Sequence, residues 1–217
     1  MTYSEENYLK VIYHLSLNAN GGIATNAIAA AMESKPSSVT DMIQKLAEKD
    51  LVIYKKYQGV SLTEKGAANA LMIVRKHRLW EVFLLEKLGF SWDEVHDIAE
   101  QLEHIKSEKL INKLDEFLGF PTEDPHGDPI PDKNGKMIKV EKQLLSELEL
   151  NTKSICVGVK DSSSAFLQYL DKYGIALDSV IEIISRENFD LSLTLVINRN
   201  EIIVSNKIAS NLFVKII

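Results

Sequence analysis

The sequence of 217 residues has one cysteine, Cys156, and five prolines. A single cysteine excludes an intramolecular disulfide and any zinc site that is built from several thiolates. No apolar run approaches the roughly 18 residues that a membrane-spanning helix requires. The opening residues, MTYSEENYLK, also lack the basic and then apolar order of a signal peptide. These absences predict a cytoplasmic protein without a membrane segment, in which Cys156 is a small buried apolar side chain.

The charge balance is acidic, with 31 aspartates and glutamates against 25 lysines and arginines and a net charge of −6. A protein that coats nucleic acid through bulk charge is usually basic, so nonspecific nucleic-acid binding is not expected. The surplus of carboxylates suits a protein that binds divalent cations. It is also consistent with a role in solubility alone.

Four of the five prolines lie in the segment PTEDPHGDPIPDKNGK, residues 121–136. Neither a helix nor a central strand can run through such a segment, so it is predicted to be a connector. The chain then divides into short helices with a hairpin (1–64), long amphipathic helices with the connector (65–140) and a small β-rich module (141–217). In the module, a short helix is predicted within residues 162–173, and four segments have strand character: ICVGV, VIEIIS, LSLTLVI and EIIVS.

The first region has the pattern of a winged helix-turn-helix. A short helix from Thr25 to Met32 is followed by a three-residue turn, and Pro36 occupies the first position of a second helix. Two short strands around Gln58-Gly59 then form a predicted wing. In this arrangement the second helix enters the major groove of DNA and the wing contacts phosphates, whereas the alternative is an ordinary helical pair with a surface hairpin. The candidate DNA contacts are Lys35, Ser37, Ser38, Thr40, Gln44, Lys55, Lys56 and Tyr57.

The middle region carries histidines and carboxylates at helical spacing. His77 and Glu81 are four residues apart. Four more potential ligands follow at i, i+4, i+7 and i+8, on one predicted helix face: His96, Glu100, Glu103 and His104. If such a face is buried, a bound metal offsets the cost of its charges, and imidazole with carboxylate favours Mn²⁺ or Fe²⁺ over thiolate-type zinc. The alternative is a solvated face with ordinary i, i+4 pairs.

Five segments together resemble the diphtheria toxin repressor family of iron- or manganese-dependent bacterial transcriptional regulators: ENYLKVIY, ESKPSSVTDMIQKLAEKDLV, RKHRLWEVFLLEKLG, VHDIAEQLEHIKSEKL and DPHGDPIP. The resemblance covers nearly the whole chain. It implies a mainly α fold with a small β part: a winged helix-turn-helix, a helical metal-binding and dimerisation domain, and an SH3-like (FeoA-like) β-barrel. It further implies a homodimeric repressor of metal-uptake genes that binds a palindromic operator and is not an enzyme.

The resemblance also implies two divalent ions per chain. The implied primary site uses Asn7, Glu100, Glu103 and His104. The implied ancillary site uses His77, Glu81 and His96, with Glu103 or a neighbouring carboxylate able to bridge, and Asp161 from the third region as a further candidate. Iron-type members have cysteine where this chain has Glu100, so Mn²⁺ is favoured and Fe²⁺ is the second choice.

Two of these ligands have open alternatives. The family usually has methionine or aspartate where this chain has Asn7, whose amide oxygen is a neutral and weaker donor, so Glu6 is the alternative ligand. Asp161 is an alternative N-cap for the helix that follows it.

The helices of residues 65–120 are expected to pair about a two-fold axis, with these core or interface residues: Leu71, Val74, Leu79, Val82, Phe83 and Leu114. Two rival functions are a di-metal enzyme and a metal-buffering protein. A di-metal enzyme of this kind needs Glu-x-x-His on two helices, but this spacing occurs only at Glu123–His126, inside the connector. A buffer would not need the predicted DNA-binding helix and wing.

Overall fold

A computed structural model describes residues 1–56, 58–138 and 141–217. The chain forms two compact units, each of which is assembled from several segments. Unit 1 contains Met1–His77, Glu100–Asn112 and Pro131–Lys136, and unit 2 contains Arg78–Ala99, Lys113–Ile130 and Met137–Ile217. The division of the chain at residues 64 and 140 stays a prediction.

Unit 1 begins with the predicted winged helix-turn-helix. Its elements are α1 (Tyr3–Ser16), α2 (Thr25–Ala31), α3 (Pro36–Glu48), β1 (Val52–Lys55) and β2 (Gly59–Leu62). Pro36 occupies the first turn of α3, where its missing N–H leaves no helical bond unmade. Fully buried apolar side chains from all three helices form the core of this part: Leu9, Ile12, Ile28, Val39, Ile43 and Leu46.

The wing is fixed to the segment that precedes α2. Val60 exchanges backbone hydrogen bonds with Ile23, at N···O distances of 2.8 and 2.9 Å. Gly59 has a φ of +92°, and a Cβ on this residue would lie 2.6 Å from the carbonyl oxygen of Ile23. Only glycine fits this position, because it tolerates positive φ and has no Cβ to clash.

Three helices follow the wing: α4 (Glu64–Leu88), α5 (Val95–Leu102) and α6 (Glu108–Phe117). Of the apolar residues predicted for this region, Leu71 and Phe83 are half-buried, and the others are buried: Val74, Leu79, Val82 and Leu114. No helix in the described residues is long and apolar enough to cross a membrane.

The predicted continuous ligand face on α5 is interrupted. α5 ends at Leu102, so Glu103 and His104 lie in the following turn, which the Ile105 N–H closes by donating to the Leu102 carbonyl at 3.1 Å. His96 and Glu100 remain on the helix itself. The expectation of one helical face was therefore wrong for Glu103 and His104. Both lie in the interior of unit 1, where Glu103 contacts Lys10 and His104 contacts Glu6.

Unit 2 contains an antiparallel sheet of order β3-β8-β4-β5-β6-β7. Its strands are β3 (Gln143–Leu144), β4 (Lys153–Val159), β5 (Val180–Arg186), β6 (Leu193–Ile197), β7 (Asn200–Val204) and β8 (Leu212–Ile216). The helical elements of this part are a 3-10 turn (Leu145–Glu147), α7 (Ser164–Lys172) and α8 (Asn206–Ala209). The small β module is confirmed, but among the described strands no pairing joins β7 to β3, so the sheet is open and not a closed barrel.

The connector lies directly on β4. The Val159 N–H donates to the His126 carbonyl at 3.0 Å. Gly127 has a φ of +78°, and a Cβ there would overlap the Val157 carbonyl and the Gly158 Cα. The glycine of the segment DPHGDPIP is therefore required by the close approach of two backbones within unit 2.

Candidate metal centre and DNA-binding surface

Glu103 is the centre of a buried polar cluster in unit 1. Glu103 is fully buried. The Lys10 Nζ lies 2.8 Å from each of its carboxylate oxygens and donates a hydrogen bond to Oε2. The Nδ1 of His77 lies 2.7 Å from the same Oε2. Burial acts to raise the pKa of the Glu103 carboxyl, but the His77 hydrogen bond and the Lys10 charge prevail and hold it below its ordinary value.

Lys10 also contacts the second carboxylate predicted for the primary site. Its Nζ donates to Glu100 Oε1 at 3.2 Å. The Glu100 side chain is half-exposed, whereas the Lys10 side chain is about nine-tenths buried. α1 is thus tied to both carboxylates through an ammonium group.

The other two residues predicted for the primary site lie in the same unit. His104 is buried, and its Nδ1 lies 2.6 Å from Glu6 Oε2, while its ring stacks on Tyr3 at a centroid distance of 4.4 Å. The Oδ1 of Asn7 is buried and has no hydrogen-bond partner among the described residues. Glu6 is therefore the α1 carboxylate that meets His104, and whether Asn7 or Glu6 is a metal ligand stays a prediction.

A second cluster of donors lies within unit 2. Glu81 is buried on α4, and its Oε1 lies 3.3 Å from the Nδ1 of His96 and 3.7 Å from the Nδ1 of His126. Glu81, Asp124 and His126 each place a donor atom within 4.8 Å of the others, and all three are buried. His77, predicted for the same site, lies one helical turn before Glu81 on α4.

The tautomer of His126 leaves one ring nitrogen directed at Glu81. Its Nε2 lies 2.9 Å from the Trp92 carbonyl oxygen, which can only accept a hydrogen bond, so Nε2 carries the hydrogen. In the neutral form of the ring, Nδ1 is then the nitrogen with the lone pair. A buried imidazole held in this way has the orientation of a metal ligand with a fixed second nitrogen.

The Asp124 carboxylate already has partners within unit 2. Its Oδ1 accepts the N–H groups of His126 and Asp128 at 2.8 and 3.0 Å, and its Oδ2 lies 3.3 Å from Arg78 Nε. Burial and the neighbouring carboxylates of Glu81 and Asp128 raise the pKa of Asp124 well above its ordinary value. A cation in this centre would relieve that crowding of negative charge.

Asp161, in unit 2, accepts the N–H of Ser163 at 2.9 Å. Ser163, and not Asp161, is the N-cap of α7, so this carboxylate forms a turn just before the helix. Its role as a ligand stays a prediction.

The candidate DNA contacts lie on the surface of unit 1. The residues on α3 and its N-cap are exposed apart from Thr40, which is half-buried and donates its hydroxyl to the Pro36 carbonyl at 3.0 Å. Lys55 and Lys56 are exposed at the wing, and Tyr57 lies outside the described residues. Opposite these residues, Val39, Ile43 and Leu46 are buried, so α3 presents a polar face outward.

Comparison with known proteins identifies the family. The iron dependent repressor N-terminal DNA binding domain matches residues 1–60, the iron dependent repressor metal binding and dimerisation domain matches residues 63–132, and the FeoA domain matches residues 143–216. The HTH-type transcriptional regulator MntR of Oceanobacillus iheyensis is 36% identical over 123 residues, which are 57% of this chain and 82% of that protein. This chain belongs to the iron-dependent repressor family.

Other relatives agree with this assignment. The iron-dependent repressor IdeR of Mycobacterium tuberculosis is 34% identical over 126 residues, 58% of this chain and 54% of that protein. A solved manganese-dependent transcriptional repressor in complex with manganese is 33% identical, with a TM-score of 0.87 over 98% of this chain and 100% of that one. The resemblance read from the sequence is confirmed: the chain is a metal-dependent DNA-binding transcriptional repressor and not an enzyme.

Lys10, Asp124 and His126 belong to the polar clusters of this repressor but were missed by sequence reasoning. Lys10 stands three residues after Asn7 on the predicted α1, and this spacing was the available signal that both share one face. His126 was considered as part of the family segment DPHGDPIP and of an enzyme motif in the connector, but not as a neighbour of Glu81. Its approach to Glu81 depends on tertiary packing, for which one sequence carries no direct signal.

Proposed function

We propose that this repressor is switched by Mn²⁺, with Fe²⁺ as the second ion able to act on it. In this proposal it works as a homodimer on a palindromic operator and controls genes for metal uptake. The observation that carries the proposal is the centre in unit 2, where Glu81 faces two imidazoles. The same chain also carries α3, the helix proposed to contact DNA, whose polar face is exposed.

The donors of this centre fit a divalent ion of intermediate hardness. Imidazole and carboxylate suit Mn²⁺ and Fe²⁺, and the chain's one thiol, Cys156, is buried in β4. The proposed ligands are Glu81, His96 and His126, with Asp124 and Asp161 as further oxygen donors. When bound, the ion would supply positive charge that holds α4, α5 and the connector in one arrangement.

The apolar surface of unit 2 supports pairing of two chains. Leu88, Phe117 and Phe120 are large apolar side chains with more than half of their surface exposed. Exposed large apolar side chains of this kind are typical of surfaces that associate with other proteins. A two-fold dimer would present two α3 helices to the two halves of a palindrome.

The test is binding of the purified full chain to a labelled promoter fragment of the source organism's manganese-transporter gene, measured by fluorescence anisotropy. Mn²⁺, anaerobic Fe²⁺ and Zn²⁺ are titrated in parallel. A coupling of about 1–3 kcal/mol predicts that Mn²⁺ raises DNA affinity roughly 5- to 150-fold. Glu81→Gln should remove most of this gain, because it deletes the central carboxylate.

The matched control is Glu86→Gln, which changes an exposed carboxylate on the same helix whose ion-pair partner is the adjacent Lys87. It should respond to Mn²⁺ as the unaltered protein does. DNA affinity that ignores all three metals, or a Glu81→Gln protein with an undiminished response, would contradict the proposal.

A further inference from the structure

The buried face of α1 carries a positive charge where the primary ion was expected. Lys10 is 8% exposed, and lysine is almost never buried to this extent unless it is paired. Its ammonium is 2.8 Å from both oxygens of Glu103 and 3.2 Å from Glu100 Oε1. It therefore lies between the two carboxylates that the sequence assigned to the primary site.

An ammonium in this position competes with a divalent ion. Such ions lie about 2.0–2.6 Å from the carboxylate oxygens that bind them. An ion on either oxygen of Glu103 would thus be within about 5 Å of the Lys10 Nζ, beside a carboxylate that is screened from solvent. The Lys10 Nζ is equally distant from the two oxygens of Glu103, and an ion chelated by this carboxylate would also lie equally distant from them.

Glu6 adds one further carboxylate, whose Oε2 contacts His104; the other neighbouring donors are neutral or already paired. Asn7, one turn before Lys10 on α1, contributes a neutral amide in place of a carboxylate. The Nδ1 of His104 is held by Glu6. Oε2 of Glu103 also contacts the Nδ1 of His77 at 2.7 Å. In this arrangement the residues of the predicted primary site do not fit a divalent ion.

We propose that the Lys10 ammonium is a built-in cation that takes the place of the primary metal ion and ties α1 to Glu103 and Glu100 without metal. The inference rests on the proposed function, since it concerns which site of a metal-switched repressor responds to metal. The response then comes from the centre around Glu81 alone. Each chain binds one Mn²⁺ tightly, and not the two that the family resemblance implies.

The test counts the Mn²⁺ ions that each full-length chain binds. The protein is first stripped of metal with a chelator, the chelator is removed, and Mn²⁺ is added. The bound ions are then counted from the loss of the electron paramagnetic resonance signal of free Mn²⁺. Lys10→Met removes the charge and keeps a chain of similar length, whereas Lys10→Arg keeps the charge. Lys49→Met is the matched control, because Lys49 forms an ion pair with another α1 carboxylate, Glu5, at 2.6 Å. We expect one ion in the unaltered protein, in Lys10→Arg and in Lys49→Met. Lys10→Met should gain a second ion that binds at least tenfold more tightly than any second ion of the unaltered protein.

Two tight ions in the unaltered protein would overturn the inference, as would a folded Lys10→Met protein that still binds only one. If Lys10→Met does not fold, as judged by circular dichroism, Glu100→Gln replaces it, because this side chain is half-exposed. The inference predicts unchanged Mn²⁺ affinity for Glu100→Gln, and a tenfold loss overturns it.

The same samples separate the two proposals. If two ions bind and DNA affinity responds to Mn²⁺, the role of Lys10 is wrong and the proposed function stands. If Glu81→Gln keeps its tight ion and DNA affinity ignores Mn²⁺, the proposed function fails and the inference fails with it.

Discussion

Replacing Glu103 with glutamine removes one negative charge from the interior of unit 1 and leaves the volume of the side chain almost unchanged. The carboxamide keeps one oxygen for Lys10 or His77 but cannot serve both as the carboxylate does. The attraction between unit charges 2.8 Å apart is about 6 kcal/mol at an effective dielectric constant near 20, and desolvation cancels part of it. Breaking one side of such a buried pair costs about 3–5 kcal/mol, because the remaining charge stays buried. We expect the free energy of unfolding of unit 1 to fall by about that amount.

The assay uses urea denaturation of the chelator-treated protein, followed by circular dichroism at 222 nm. With a slope of about 1–3 kcal/mol per molar urea, the midpoint should fall by at least about 1 M. Hydrogen exchange of the α1 peptide reports the same region directly. A loss of about 3 kcal/mol makes exchange through opening of this unit roughly 100-fold faster.

The pH dependence of the variant gives a further check. The pKa of Glu103 is lower in the folded protein than its ordinary value of 4.5. Its contribution to stability is therefore present above about pH 4.5 and is lost as the pH falls through the folded pKa. The difference between Glu103→Gln and the unaltered protein should be largest near neutral pH and shrink below pH 4.5.

Glu100→Gln is the control, because it changes a half-exposed carboxylate that contacts the same lysine. It should cost at most about 1 kcal/mol. If Glu103→Gln is no more destabilising than this control, the buried cluster does not stabilise unit 1 and the reasoning is refuted.

Three further predictions concern unit 2. Burial raises the pKa of the Cys156 thiol to about 11, so iodoacetamide at pH 8 should label it only after denaturation, and labelling of the native protein at the rate of a free thiol would show that this thiol is accessible. Because that pKa is raised above 9.0, stability should also decline as the pH rises from about 9 to 11. Gly127→Ala should lower the melting temperature by several degrees more than Gly119→Ala. Both glycines have positive φ, near +78°, but only at Gly127 would a Cβ meet backbone; equal effects would mean that the contact with β4 is not tight.

Local patterns predicted the winged helix-turn-helix well. Pro36, the apolar spacing along α3 and Gly59 are signals that act within a few residues, and the structure has the helix and the hairpin where they indicate. The same holds for β4, β5, β6 and β7, whose segments are rich in β-branched residues. β3 and β8 were missed because β3 is two residues long and its pairing with β8 joins segments about 70 residues apart.

The candidate metal ligands show where local patterns end. Spacing predicted that His77 and Glu81 share a helix face, and α4 contains both. Spacing also predicted one helix face for the four ligands from His96 to His104, but α5 ends at Leu102. A periodic sequence does not by itself show where the last helical turn ends, because tertiary contacts decide that point. Which residues hold metal ions in this chain stays a prediction.

The sequence by itself determined the class of this protein: the order of its elements, the donor chemistry of imidazole and carboxylate, and the family motifs. These properties are local, because they depend on residue types at short spacing. Only the tertiary structure decided which charges meet. It placed Lys10 between Glu100 and Glu103, paired Glu6 with His104, and turned the connector histidine toward Glu81. The interaction between two charges depends on their distance and burial, and residues about 90 positions apart acquire both only when the chain folds.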